Sequence, residues 1–262
     1  MNQRLILASL SRAMDGGLTA IAEVTQILRD AGQLDRSRLI GGVAVLLHQQ
    51  RLGIDLPLRA TGDADFGVPP VLLREPNLVA AIEALGYAKT AGNRWERPID
   101  AVRTSTVDLL IPAYRSRARH TVRVGDIVTT EVPGLAEALR RPGTEVDADI
   151  ALTDGTSLHA ALLIPDAIAT LGLKGWARTV RSEDRDAEDL WRCLEIAHAD
   201  GVTAETFSDY ATESGVWPIL ARELGPSGPA MAVITRGLGE NEAARRRTRI
   251  RSLLSAVAGI TS

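Results

Sequence analysis

The sequence predicts an α/β (α+β) protein with two lobes: residues 1–164 form a mixed β-sheet flanked by helices, and residues 165–262 form an all-helical lobe. Three observations predict it. Strand-like and helix-like runs interleave as far as residue 163. From Pro165 onward strand signals vanish and a period of about 3.6 residues takes over, with Gly201, Gly215, Pro226 and Gly237 as punctuation. The chain of 262 residues is long enough to bury a core without disulfide support.

Taken in order, residues 18–31 have apolar positions at helical spacing and stop at Gly32, a glycine cap. Residues 38–40 read as a short buried strand feeding Gly41-Gly42, and 43–52 as a helix closed by Gly53. A strand is expected over 59–68, ended by Pro69-Pro70, and a helix over 78–85. Further strands are expected at 94–97, 104–111, 121–124, 126–131, 148–152 and 157–163. The 104–111 run is rich in β-branched residues. The second lobe should contain helices near 166–180, 184–199, 203–213, 215–224, 228–236 and 239–257, the first opened by Pro165 at its initial position.

Composition excludes several classes. Apolar residues make up 45% and charged residues 24%, the balance of a soluble globular chain, and no run is apolar for long enough to span a membrane. The N-terminal apolar stretch is too short for a signal peptide and is interrupted by Arg12, which places the expected location in the cytoplasm. Cys193 is alone and the four histidines are scattered, so neither a disulfide framework nor a zinc site is available, and any metal should be hard and oxygen-bound. Net charge is −3, and only Lys89 and Lys174 are lysines among 30 basic residues. Aromatic residues are 3% of the chain, too few for a single-strand binder built on stacking.

The chemistry concentrates in a few positions. Two glycines opening a helix, Gly41 and Gly42, bring backbone amides and the helix dipole to a phosphate. Asp63 and Asp65, two apart on a strand, share a face and suit magnesium, or manganese, carried by a nucleoside triphosphate. Nucleotidyl transfer uses two such ions about 3.5–4 Å apart. Asp108, inside the apolar run Val107-Asp108-Leu109-Leu110-Ile111, is the candidate third ligand and general base, because burying an acid there is costly unless it is metal-bound or paired. The alternative for Asp108 is a structural acid paired with Arg97 or Arg103. Arg59 and Arg181 are candidate phosphate clamps through their bidentate forks.

These residues carry a resemblance. The order Gly41-Gly42-x-Ala44, Thr61-x-Asp63-x-Asp65, Val107-Asp108-Leu109 resembles the nucleotidyltransferase superfamily related to DNA polymerase β. Leu171 to Arg178, with Lys174 in its middle, followed by Arg185-Asp186-Ala187-Glu188-Asp189-Leu190, is similar to the AbiEii-type toxins of bacterial toxin–antitoxin systems, which include the mycobacterial MenT enzymes. The resemblance covers roughly residues 36–195. It implies an enzyme that transfers a nucleoside monophosphate from a triphosphate to RNA, expected to be a tRNA 3′ end, and is held in check by a cognate antitoxin protein. By position it implies Gly41, Gly42 and Thr61 at the nucleotide, Asp63 and Asp65 on metal, and Lys174 and Asp186 as further active-site groups, with Lys174 placing charge against the β or γ phosphate. Asp108 carries over only from the wider superfamily. Gly62 stands where relatives often have a larger residue, and Gly175, inside a helix, suggests close approach of another chain or a ligand.

Other readings remain open at this level. An aminoglycoside-type antibiotic nucleotidyltransferase shares the glycine pair and diacid, and a non-catalytic regulatory module is the third possibility. The cluster Arg115, Arg117, Arg119 and Arg123 favours an RNA acceptor over a cationic drug, and the run from Arg245 to Arg251 offers a second basic face. His48, Trp176 and Trp191 fit packing roles on their helices. A monomer is expected.

Overall fold

The computed structural model describes residues 4–58, 61–74, 76–114, 121–181 and 183–261. The chain divides into two compact units, Met1–Leu47 with Pro57–Asp166, and His48–Leu56 with Ala167–Ser262.

The first unit holds all ten described strands. A three-stranded sheet is built from β1 (Arg4–Ala8), β9 (Thr144–Ala151) and β10 (Ser157–Ile164), with β1 parallel and β10 antiparallel to the central β9. The larger sheet runs β2 (Arg38–Leu39), β3 (Asp63–Gly67), β6 (Thr104–Pro112), β5 (Arg94–Pro98) and β4 (Ala88–Ala91). Past the end of β5, the last residues of β6 pair in parallel with β8 (Ile127–Val132), which in turn pairs with β7 (Val122–Val124). Parallel β3–β6 and β6–β8 pairs beside antiparallel β2–β3 and β5–β6 pairs make the sheet mixed, as the sequence predicts.

Period two divides the faces of this sheet. Ala64, Phe66, Trp95, Val107 and Leu109 are at most 1% exposed and form the core face. Asp63, Asp65, Arg94 and Asp108 take the alternate positions. Helix α1 (Arg12–Asp30) packs against β3 and β6 with Met14, Leu18, Ile21 and Leu28 buried at helical spacing. Ser11 caps it by accepting the Met14 amide. The sequence reading starts this helix six residues late, past Gly16-Gly17. The two glycines let the helix backbone approach the strands: a Cβ on Gly16 would lie 2.0 Å from the Thr104 carbonyl oxygen, and one on Gly17 2.6 Å from that of Gly62. Gly62 is itself close to the Ala13 carbonyl, 3.1 Å from where a Cβ would stand, which accounts for a small residue there.

The remaining helices of this unit are α2 (Gly41–Arg51), which runs on into the second unit, α3 (Pro70–Arg74), α4 (Pro76–Ala84) and α5 (Leu135–Arg140). The second unit contains α6 (Ala167–Val180), α7 (Asp184–Ala199), α8 (Ala204–Ser214), α9 (Trp217–Leu224), α10 (Pro229–Ile234) and α11 (Glu240–Ala258). All six lie within two residues of the bounds read from sequence, although α6 begins at Ala167 rather than at Pro165. Gly172 and Gly175 lie one turn apart on α6, and added Cβ atoms would fall 2.1 Å from the Tyr210 ring and 2.6 Å from Val216. The expectation that Gly175 admits another chain or a ligand is therefore corrected: the close neighbour belongs to the same helical unit. Among the described residues no helix is long and apolar enough to cross a membrane.

Candidate active site

The glycine turn and the acid pair are brought together by strand pairing. β2 lies antiparallel to β3 with Leu39 opposite Phe66, and the Ile40 amide donates to the Asp65 carbonyl at 2.8 Å. The chain then turns into α2 at Gly41, whose φ of +77° lies in the left-handed region that favours glycine. A Cβ at Gly41 would fall 2.1 Å from Asp65 Oδ2, so the Asp65 carboxylate lies directly against the helix start. The first turn of a helix carries amides without intrahelical partners, and anions are favoured there. Gly42 faces Thr61, with Oγ1 3.1 Å from the place a Cβ would take.

Asp63 begins β3 on the same face as Asp65, and its side chain is 51% exposed. Asp108 stands directly opposite Asp65 across the parallel β3–β6 pair, and Arg94 directly opposite Asp108 across β5–β6. Three charged residues thus form one row across three adjacent strands. Asp108 is buried, and both of its oxygens are engaged: Oδ1 accepts from Asn93 Nδ2 at 2.9 Å and from Arg94 Nε at 3.2 Å, and Oδ2 from Arg94 Nη2 at 2.6 Å. Asn93 is held in turn by Thr130 on β8, whose hydroxyl donates to its side-chain oxygen at 3.2 Å. The hydrogen bond to Asp108 raises the Arg94 guanidinium above its ordinary pKa. Arg94 Nη2 also reaches within 3.9 Å of Asp63 Oδ1.

These positions fit a divalent cation in part. Asp63 and Asp65 offer hard oxygens on one face at the start of a helix, in a space that a Cβ at Gly41 would fill. Asp108 brings no free oxygen, and among the described residues no three acidic, histidine or cysteine side chains assemble into a group able to hold a metal. The alternative partners weighed for Asp108 are engaged elsewhere. Arg97 pairs with Glu23 at 2.6 Å, and Arg103 with Asp100, Asp154 and the buried Asp15.

The second unit carries its own charged cluster. Lys174 is 6% exposed and donates to Asp189 Oδ2 at 2.8 Å, while Asp189 Oδ1 accepts from Arg192 at 3.2 Å. The residue that holds Lys174 is thus Asp189, one turn beyond Asp186. Asp186 instead forms an ion pair with Arg181, Oδ2 to Nε 2.9 Å, without hydrogen-bond alignment. The Arg181 side chain remains half exposed. Cys193 is buried beside this cluster, and desolvation pushes its thiol well above the usual range. Arg178 and Glu223, unmarked by the sequence reading, form a further buried ion pair at 3.2 Å. His48 is fully buried, with Nδ1 3.3 Å from Arg51.

Of the basic candidates, Arg59, Arg115, Arg117 and Arg119 lie outside the described residues, whereas Arg123 is exposed on β7. On α11, Arg246 stacks over Trp191 at 4.2 Å and Arg249 pairs with Glu195 at 2.6 Å, so part of that run is used internally. Sequence reasoning missed Arg94 and Asn93. The available signal was register: Arg94 occupies an alternate position of its strand beside the core residue Trp95, and so faces the acid side.

No family model matches the chain. No curated protein matches it. Among solved structures, the chain is similar to the solution structure of the antibiotic-resistance factor ANT(2'')-Ia, with a TM-score of 0.41 and 16% sequence identity over 75% of this chain and 89% of that one.

Proposed function

We propose that this chain is a metal-dependent nucleotidyltransferase that moves a nucleoside monophosphate from a triphosphate to an RNA acceptor. The observation that supports it most is the convergence of two elements far apart in sequence type: the left-handed glycine turn that opens α2 and the Asp63–Asp65 face, in contact through Asp65 and Gly41. In this reading the amides of the first α2 turn, with Gly42 and Thr61, receive phosphate oxygens, and Asp63 and Asp65 hold magnesium or manganese. The ion, when bound, supplies charge neutralisation at the triphosphate and activation of the acceptor hydroxyl. The acceptor oxygen forms a bond to the α-phosphorus, the bond to the bridging oxygen breaks, pyrophosphate leaves and the hydroxyl proton passes to solvent. Lys174 and Asp186 are further active-site candidates through the AbiEii-type resemblance, which also carries the tRNA 3′ end, the toxin role and the antitoxin partner, and Arg181 is a candidate phosphate clamp.

The experiment is incubation with magnesium, each α-labelled nucleoside triphosphate in turn, and either total tRNA or an aminoglycoside. Label in RNA, absent with Asp65→Ala, is the expected result. Label on the aminoglycoside alone would replace the RNA acceptor with a small cationic one. No transfer to either acceptor, from folded protein, would overturn the enzymatic reading.

A further inference from the structure

We propose that Arg94 is a built-in cation of this acid site: it takes the Asp108 side of the carboxylate cluster, so that Asp63 and Asp65 alone hold a single divalent ion and Asp108 is a positioning residue for Arg94. The inference rests on the reading of Asp63 and Asp65 as the metal-holding pair and adds what fills the rest of the site.

Three observations carry it. The first is saturation. Asp108 accepts three hydrogen bonds from Asn93 and Arg94, two of them charge-assisted, and it is 6% exposed. A metal ion binding Asp108 would have to share an oxygen with an arginine bond or displace one, and in either case would place a dication beside the guanidinium. The second is placement. Arg94, Asp108 and Asp65 are successive partners across β5, β6 and β3, so the backbone register delivers the guanidinium to the acid row, and the Asn93–Thr130 contact to β8 braces it. The third is reach. The Arg94 side chain is 39% exposed, and the same Nη2 that bonds the buried acid at 2.6 Å lies 3.9 Å from Asp63 Oδ1, so one guanidinium edge serves both acids. A guanidinium placed this way is a fixed positive charge with donors suited to phosphate oxygens. It is aimed at a phosphate group bound next to Asp63, where it stabilises the charge that grows on the transferring phosphoryl oxygens.

Manganese binding tests this without reference to turnover, because the ion's electron paramagnetic resonance signal counts free and bound metal directly. The wild-type protein is expected to bind one Mn²⁺ per chain through the acid pair. Asp108→Asn should keep that stoichiometry with affinity within about twofold, and Asp65→Asn should lose it. Arg94→Met frees Asp108 as a ligand and should either add a second ion or tighten binding at least tenfold, whereas Arg94→Lys should stay at one ion. If Asp108→Asn weakens Mn²⁺ binding tenfold or more, as Asp65→Asn does, Asp108 is a ligand and the proposal fails while the acid-pair reading stands. Arg94→Met binding metal as the wild type does would also overturn it. Should that variant fail to fold, the near-isosteric Asp108→Asn decides alone. If Asp65→Asn binds as the wild type does, or the wild type binds no Mn²⁺, the acid-pair reading falls and takes this inference with it.

Discussion

In the first unit, Asp63 keeps half of its side chain in solvent beside Asp65, and the only cation within 4 Å of it among the described residues is Arg94, at 3.9 Å. In the second unit, Lys174 and Asp189 are less than a tenth exposed, and each is bonded to a group of opposite charge at hydrogen-bonding distance. The two clusters use the same residue types to opposite ends. Buried charges cost little only when they are fully paired, so the Lys174 cluster spends its electrostatics on holding α6 to α7. On the Asp63–Asp65 face, Asp63 stays half exposed at the edge of a helix start, where a cation or substrate phosphate can be met at a smaller desolvation cost. Differences between variants of the two clusters should therefore separate stability from chemistry.

The largest stability effect is expected at the buried pair. Lys174→Met leaves Asp189 short of a partner in the interior and should cost about 3–5 kcal/mol in urea unfolding, whereas Asp63→Asn should leave the midpoint at or above that of the wild type. Equal losses in both would break the comparison. Next comes Gly41→Ala, which forces a left-handed φ on alanine and drives its Cβ into Asp65; about 1–3 kcal/mol is expected, together with weakened Mn²⁺ binding. A variant with unchanged metal binding would separate the glycine turn from the acid face. On α6, Gly175→Ala should cost about 1–3 kcal/mol by overpacking against Val216, with metal binding intact.

The smallest expected effect concerns acid. Burial alone would raise the Asp15 carboxyl, but the Thr153 hydroxyl and amide, Ser9 and Arg103 outweigh it and hold the carboxyl below its ordinary 3.8. A folded-state value below the unfolded one stabilises the protein above about pH 4, and that contribution fades as pH falls further. Thr153→Val should lower stability at neutral pH and, with it, move the acid limb of a pH-unfolding curve to higher pH. No movement of that limb would remove Asp15 from the acid response.

The same contrast explains what the sequence disclosed. The mixed sheet and the six helices after residue 165 were legible because periodicity and glycine or proline punctuation are local signals. β1 was not, since five residues at the chain start acquire strand character only by pairing with β9, more than 130 residues away. β4 is exposed along its length and lacks alternation, and α5 is only six residues long. In the site, the acids announced themselves by spacing and by an apolar setting, but their partners did not. Whether Asp108 meets Arg94, Arg97 or Arg103 depends on strand register, and whether Lys174 meets Asp186 or Asp189 depends on how two helices rotate against each other. Neither is encoded in any short window.

The most direct measurement is paired on one variant: transfer of label from an α-labelled triphosphate to tRNA, and the urea midpoint, for Asp65→Asn beside the wild type. Transfer reduced by about 10³-fold or more, with the midpoint unchanged, is expected if chemistry resides in the exposed acid face. Transfer retained at a substantial fraction of wild type, or lost only along with the fold, would contradict it.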